Sequence, residues 1–384
     1  MADLQIDNLA KTFKGGFEAV RGISLDVADR EAVFLLGPSG AGKTTTLRLV
    51  AGLEEAGAGR IMIGGRDVTQ WTPRERNLAM VYDKHSLFPH LSVFENLAYP
   101  LRIRKMAEAE IRRHIAGVAE TLQIEKLLER RPNQLSGGQM QRVAIGRALV
   151  RDADVFLLDE PISHLDAKLR ARMRVEFKRL QREFKATMLY VSHDQLEAMT
   201  MADRIVLINK GRIEQIAAPQ DLFDRPETLF AATFVGEPPM NVMKAVISEA
   251  NGCHSLRVGD AYIEVDHDWM QDGEAVKPGG NYLLGLRPQQ LHLCPPDTAH
   301  PCRVQGTVFA VETLGSRVVF DIEVEGQVIR AMTTLDAALK YPRAIGAAIA
   351  FRIDPDFIYL FDADSGRTVR QARFTRQKPA RLHA

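Results

Sequence analysis

Cysteine is scarce in this chain: Cys253, Cys294 and Cys302 are the only three in 384 residues. Their number and spacing fit neither a disulfide framework nor a metal-ligand set, so all three are expected as reduced thiols. A long apolar run is missing too, which argues against a spanning helix. The first residues lack the basic region and hydrophobic segment of a secretory leader, so a cytoplasmic protein is expected. Net charge is nearly absent: fifty Lys plus Arg against forty-nine Asp plus Glu leave +1, a balance that argues against a dedicated nucleic-acid partner. Arg367, Arg370, Arg373, Arg376, Lys378 and Arg381 form one basic stretch. Without a sustained motif it reads as a flexible, solvated tail over residues 363–384.

What is present starts with enough material for more than one domain, since 46% of the residues are hydrophobic. Val33-Phe34-Leu35-Leu36 is a short apolar run suited to a buried strand. It leads into Gly37-Pro38-Ser39-Gly40-Ala41-Gly42-Lys43-Thr44-Thr45. Glycines at this spacing let main-chain N–H groups converge at a helix start, where the helix dipole favours an anion. Lys43 can reach terminal phosphates, and the Thr44 hydroxyl can ligate Mg²⁺. The motif alone does not separate ATP from GTP.

A second apolar run, Val155-Phe156-Leu157-Leu158, ends in Asp159-Glu160. Beside a phosphate loop, Asp159 is suited to hold the Mg²⁺ shell and Glu160 to orient or deprotonate an attacking water. A third run, Thr187 to Ser192, delivers His193-Asp194. From that position His193 can donate a hydrogen bond to a γ-phosphate and sense its departure.

With Leu135-Ser136-Gly137-Gly138-Gln139 and Ser163-His164-Leu165-Asp166, these motifs occur in an order that resembles an ABC transporter ATPase. Over essentially the whole chain the resemblance is to the importer group for sugars, polyols and glycerol 3-phosphate. It implies that two ATPases, identical or different, face head to tail and enclose two ATP molecules. Each phosphate loop then meets the other subunit's Ser136, Gly137, Gly138 and Gln139. One phosphate loop and one signature per chain make half of that assembly.

The resemblance places Phe13 at the adenine-stacking position, with a core phenylalanine as the rival reading and Phe17 as a second candidate. It makes Asp166 the residue that communicates across the dimer, next to His164 where relatives commonly carry asparagine. It also exposes a departure. In Met80-Val81-Tyr82-Asp83-Lys84-His85, Asp83 stands where the family has the glutamine that contacts Mg²⁺ or water and transmits membrane-subunit contact. Asp83 is shorter and anionic; it can be a metal ligand, keep a sensing role, or point away. The following segment, Leu87 to Leu97 with Phe88 and Pro89, resembles the surface that receives a permease coupling helix. The same residues also suit the core of a helical insertion.

The expected fold is therefore an α/β P-loop ATPase core over residues 1–235, with a helical insertion at about 84–150 containing helices near Ala107 to Leu122 and Gly138 to Val150. The paired prolines of Gly236-Glu237-Pro238-Pro239 mark a boundary. Beyond it, alternating segments at Ser255–Val258, Tyr262–Val265, Val318–Val324 and Gln327–Arg330 predict a β-rich accessory domain over 242–362. Leu284-Gly285-Leu286-Arg287-Pro288 and Val311 to Gly315 resemble the oligonucleotide-binding-like barrels of the importer group, whose roles include dimerisation, regulation and ligand sensing. The resulting expectation is an ATP- and Mg²⁺-dependent ATPase energising import of a carbohydrate, polyol or glycerol-phosphate. Its partners would be a second ATPase, membrane permeases and an extracytoplasmic solute-binding protein, placing it on the cytoplasmic side of the membrane. Importers of polyamines, metal ions or oxyanions, and a soluble ATP-dependent regulator, are the alternatives.

Overall fold

The computed structural model describes residues 2–82, 86–151, 153–163, 165–184, 186–250, 253–258, 261–265 and 280–372. The chain divides into two units, Met1–Pro219 and Gln220–Ala384. Among the described residues, no helix is long and apolar enough to cross a membrane. Cys294 and Cys302 are buried free thiols.

In the first unit, the strands Arg204–Asn209, Ala32–Leu36, Met188–Ser192, Val155–Asp159 and Leu78–Val81 lie side by side, all parallel. Arg212–Ala217 closes one edge in the antiparallel sense. Strands of a sheet covered on both faces read as continuous apolar runs. Every residue of Ala32–Leu36 and Met188–Ser192 is buried accordingly. A separate antiparallel sheet joins Glu18–Val27, Leu4–Thr12, Ala58–Ile63 and Arg66–Asp67.

Between the parallel strands Leu78–Val81 and Val155–Asp159 lie the helices Val93–Ile103, Glu108–Leu122 and Gly137–Leu149. Ile111, Ile115, Val118, Ala119 and Leu122 give the middle helix one buried stripe at helical spacing. Gly146 lets the third helix approach the other two: a Cβ there would meet Leu122 Cδ1 at 2.9 Å and Leu97 Cδ2 at 3.1 Å.

The second unit is β-rich. One antiparallel sheet orders Ala261–Val265, Cys253–Val258, Asn241–Ala250, Tyr282–Leu286, Ile358–Asp362 and Thr368–Arg370. The other orders Leu291–Cys294, Ala348–Ile353, Arg303–Leu314, Arg317–Val324 and Gln327–Thr334. Leu256, Leu284 and Leu360 from the first sheet share a core with Val304, Phe320 and Phe351 from the second.

Two boundaries differ from expectation. The units part at Pro219/Gln220, not after residue 235, because helix Leu229–Phe234 is held by a residue of the accessory unit. The fully buried Arg287 donates to the carbonyls of Ala232, Val235 and Phe223, and its guanidinium lies 3.9 Å from the Phe223 ring centroid. Nor does a tail begin at residue 363. Thr368–Arg370 pairs with Ile358–Asp362, and Arg370 is buried, donating to Ile358 O and Pro355 O. Arg373, Arg376, Lys378 and Arg381 lie outside the described residues.

Candidate active site

The phosphate loop connects strand Ala32–Leu36 to helix Lys43–Ala51, and its backbone requires glycine. Gly37 and Gly42 have φ of 154° and 102°, and a Cβ would meet the Ile208 carbonyl oxygen at 2.1 Å or the Ala19 oxygen at 2.3 Å. Pro38, Ser39, Gly40 and Ala41 complete the turn, with Ser39 and Gly40 exposed. Lys43 is buried and donates from Nζ to Gly37 O (2.8 Å) and Pro38 O (2.9 Å). Burial lowers its pKa, against opposing pulls from Glu160 and then Asp159. Thr44 is exposed and Thr45 half-buried.

The neighbouring strand ends supply acids and imidazole. Thr44 Oγ1 donates to Asp159 Oδ1 at 3.1 Å. Glu160 takes a left-handed φ of 46°, a conformation rare outside glycine and concentrated at functional sites. Its amide donates to Val191 O, and its Oε2 lies 2.9 Å from His193 Nδ1. Lys43, Thr44, Asp159, Glu160 and His193 thus gather at the carboxyl ends of three adjacent parallel strands, where open α/β sheets bind ligands.

Beneath His193 lies a residue that the motif reading passed over. Glu197 is 2% exposed. Its Oε2 accepts from Ser192 Oγ at 2.7 Å and Tyr190 OH at 3.3 Å. Burial raises the Glu197 pKa and pushes that of Tyr190 well up, with Glu197 adding to the effect. Tyr190 stacks on Phe34 at 4.2 Å, and Asp194 caps the helix carrying Glu197 by accepting from Leu196 and Glu197 amides. The detectable sequence signal was an acid three residues after an N-cap aspartate, at a position facing inward.

The signature belongs to a different element. Ser136 caps helix Gly137–Leu149: its Oγ accepts from Gln139 N, and Gln139 Oε1 accepts from Ser136 N. Ser136 and Gly137 are exposed, while a Cβ on Gly138 would meet Leu169 Cδ2 at 2.6 Å. Asp166 Oδ1 accepts from Leu169 N at the start of helix Ala167–Phe184. Phe13 is half-buried against the core of its unit, with Lys11 Nζ 5.3 Å from its ring centroid. Phe17 is 61% exposed.

Asp83, with Lys84 and His85, lies outside the described residues, as does His164. A cleft of about 420 Å³ is lined by Met80, Tyr82, Ser86, Phe88, Tyr99, Ile103 and Arg147, among others. The buried Asn96 orders its rim: it accepts from Phe88 N and donates to the carbonyls of Phe88, Leu91 and Ser92. Of the sequence's proposed contact segment, Phe88 is half-buried, Pro89 exposed and Leu97 buried. The most exposed of the large apolar groups lining the cleft are Ile103 and Tyr99, at 59% and 45%, with Leu53 and Tyr82 also exposed.

Residues 20–163 match the family described as ABC transporter, and residues 284–361 the TOBE domain. The chain is 43% identical to the sn-glycerol-3-phosphate import ATP-binding protein UgpC 2 of Rhizobium johnstonii, over 96% of this chain and 99% of that one. It is 47% identical to UgpC of Brucella abortus, over 82% and 86% respectively. Among solved structures it is similar to the dimeric post-hydrolysis ATP-binding cassette MJ0796 bound to ADP and Pi, at TM-score 0.51 and 29% identity. That match covers 56% of this chain and 98% of that one. It is also similar to cbiO1 from Clostridium perfringens, part of an ABC transporter complex, at TM-score 0.54 and 25% identity, covering 57% and 89%. The chain belongs to the ATP-binding subunits of ABC importers and is an ATPase coupled to transmembrane solute transport.

Proposed function

We propose that this chain energises import of a glycerol-phosphate, as the names of its full-length relatives suggest, by hydrolysing ATP to ADP and phosphate. The convergence of Lys43, Thr44, Asp159, Glu160 and His193 on one sheet end carries the chemical reading. Lys43, seated on two loop carbonyls, is poised to turn to the terminal phosphates. Glu160 orients and deprotonates the attacking water, and His193 holds Glu160 and donates to the γ-phosphate.

The hard oxygen pair Thr44 Oγ1 and Asp159 Oδ1 suits Mg²⁺, which favours few protein ligands with phosphate and water filling the rest. When bound, Mg²⁺ supplies charge neutralisation at the phosphate oxygens. Phe13 stacks on adenine, with the exposed Phe17 beside it in the same hairpin.

The exposed Ser136 and Gly137, at a helix start, stabilise the γ-phosphate held by a second copy of the chain. Asp166 couples the two sites. The cleft holding Phe88, Tyr99 and Ile103 receives a permease segment, which places the chain on the cytoplasmic face of the membrane. Asp83, which stands in the sequence where the family has its glutamine, takes the sensor role. An extracytoplasmic binding protein delivers the solute.

Reconstitution with the paired permeases and binding protein tests the proposal. ATP-dependent uptake of sn-glycerol 3-phosphate is expected to exceed that of neutral sugars, polyols, polyamines and inorganic oxyanions. Uptake of another solute by the assembled complex, with none of glycerol phosphate, would overturn the substrate reading and leave the ATPase reading intact.

A further inference from the structure

The segment over residues 86–91, part of which lines the cleft of the ATPase unit, is gripped from two helices. From helix Val93–Ile103, the fully buried Asn96 accepts from Phe88 N and donates to the carbonyls of Phe88 and Leu91. From the last turn of helix Gly137–Leu149, the half-buried Arg147 donates from Nη1 to Ser86 O at 2.6 Å. The Arg147 guanidinium also lies 5.8 Å from the Phe88 ring centroid, and Tyr99 stands 4.8 Å from the same ring. Ser86 takes a left-handed φ of 50°, which a residue other than glycine keeps only where its surroundings hold it there.

The helix that carries Arg147 gives this contact its interest. Ser136 and Gly137 open the same helix, closed by the reciprocal bonds between Ser136 and Gln139. Roughly 16 Å of continuous helix, at about 1.5 Å rise per residue, lies between Arg147 and Ser136. Packed side chains and rigid elements of this kind are what carry a displacement from one site to another. Phe88 and Arg147 both line the cleft, so whatever fills it bears on the ring and on its guanidinium neighbour together.

We propose, resting on the reading that this cleft receives a permease segment, that Arg147 is the positioning residue that passes its filling to Ser136 and Gly137. An occupant pressing on Phe88 drives the ring against the guanidinium and shifts the Ser86 carbonyl that Arg147 holds. The helix moves as one piece, and the signature at its other end is reset. Guanidinium suits the post, because one planar group can stack on a ring and donate to a carbonyl at the same time.

Two experiments on the full chain test the assignment. In the first, ATP hydrolysis is followed as the paired permeases are titrated into the wild type, Arg147→Met and Arg147→Lys. Methionine keeps an apolar stem and loses donor and charge, whereas lysine keeps a charge and one donor. The ratio of permease-saturated to permease-free hydrolysis should fall at least about fivefold in Arg147→Met, the low end of usual coupling between sites. In Arg147→Lys it should fall less, and that variant carries the test if the methionine one misfolds. An unchanged ratio, or a change only in the permease concentration giving half the effect, would make Arg147 a structural or docking residue and overturn the proposal. The second experiment needs no permease: amide hydrogen exchange across residues 137–149 is measured with and without Phe88→Ala. Phe88→Ala should change exchange in the first turns of the helix in the wild-type background and have no effect after Arg147→Met. Equal effects in both backgrounds would break the link from Phe88 to the signature, whatever the permeases do. A wild type that the permeases do not stimulate, with the exchange result as expected, would sink the cleft reading and keep that link.

Discussion

Glu197 allows a test in which charge and hydrogen bonding come apart. Glu197→Leu removes the acceptor for Tyr190 OH and Ser192 Oγ, both on residues that are 2% exposed or less. Tyr190 OH has no other partner among the described residues. Ser192 Oγ keeps a long 3.5 Å contact to Asp194 O. Orphaning a buried hydroxyl costs about 1–3 kcal/mol, so the full cost at Tyr190 and a smaller one at Ser192 come to about 2–4 kcal/mol. Glu197→Gln keeps an acceptor oxygen and removes a buried charge, so a change within about 1 kcal/mol is expected.

Stability against pH gives a second readout, of Glu197→Gln against the wild type. Burial raises the Glu197 pKa in the folded chain, so above the ordinary value of about 4.3 the native state holds this proton more tightly than the unfolded state. Its contribution is full below that value and is lost as pH rises through the raised folded pKa. Glutamine has no such slope, so Glu197→Gln should gain on the wild type as pH increases through that window. Urea unfolding followed by circular dichroism at stepped pH measures both effects. A Gln variant as unstable as the Leu variant, or a difference from wild type that stays flat with pH, would refute the buried-carboxylate account. In ATP hydrolysis, Glu197→Leu should lower kcat more than it changes nucleotide affinity, because the network supports the turn bearing His193.

Glu160→Gln preserves the shape beside His193 and removes the proposed base. Turnover is expected to fall about 10²–10⁴-fold with ATP binding kept, read by steady-state hydrolysis and equilibrium nucleotide binding. Gly42→Ala would drive a Cβ to 2.3 Å from Ala19 O at a φ of 102°; nucleotide binding should be lost, as a fluorescent-nucleotide titration would show. Asp83→Gln, Asp83→Asn and Asp83→Ala should alter Mg²⁺ dependence and the stimulation of hydrolysis by permease and solute. Unchanged values in all three would remove Asp83 from sensing.

Much of the candidate site's placement was legible because phosphate binding demands particular residue types in order along the chain. Lys43 follows one apolar strand across a glycine turn, Asp159 and Glu160 close another and His193 follows a third, and those strands form where the runs predict. Glu197 was not legible, because an acid in a short helix looks solvated until packing turns it inward. The domain boundary was missed for a related reason: Leu229–Phe234 is anchored by Arg287, more than fifty residues later. Arg370 read as part of a charged tail because composition cannot show that its guanidinium caps buried carbonyls.

The Arg287 contacts bear on how this protein can be recombined with others. A chimera that grafts the accessory module from residue 242 onward would leave behind the carbonyls of Phe223, Ala232 and Val235, stranding a guanidinium inside an apolar shell. A graft starting at Gln220 carries that anchorage intact. The exchangeable cassette is therefore some twenty residues longer than the proline-marked junction suggests.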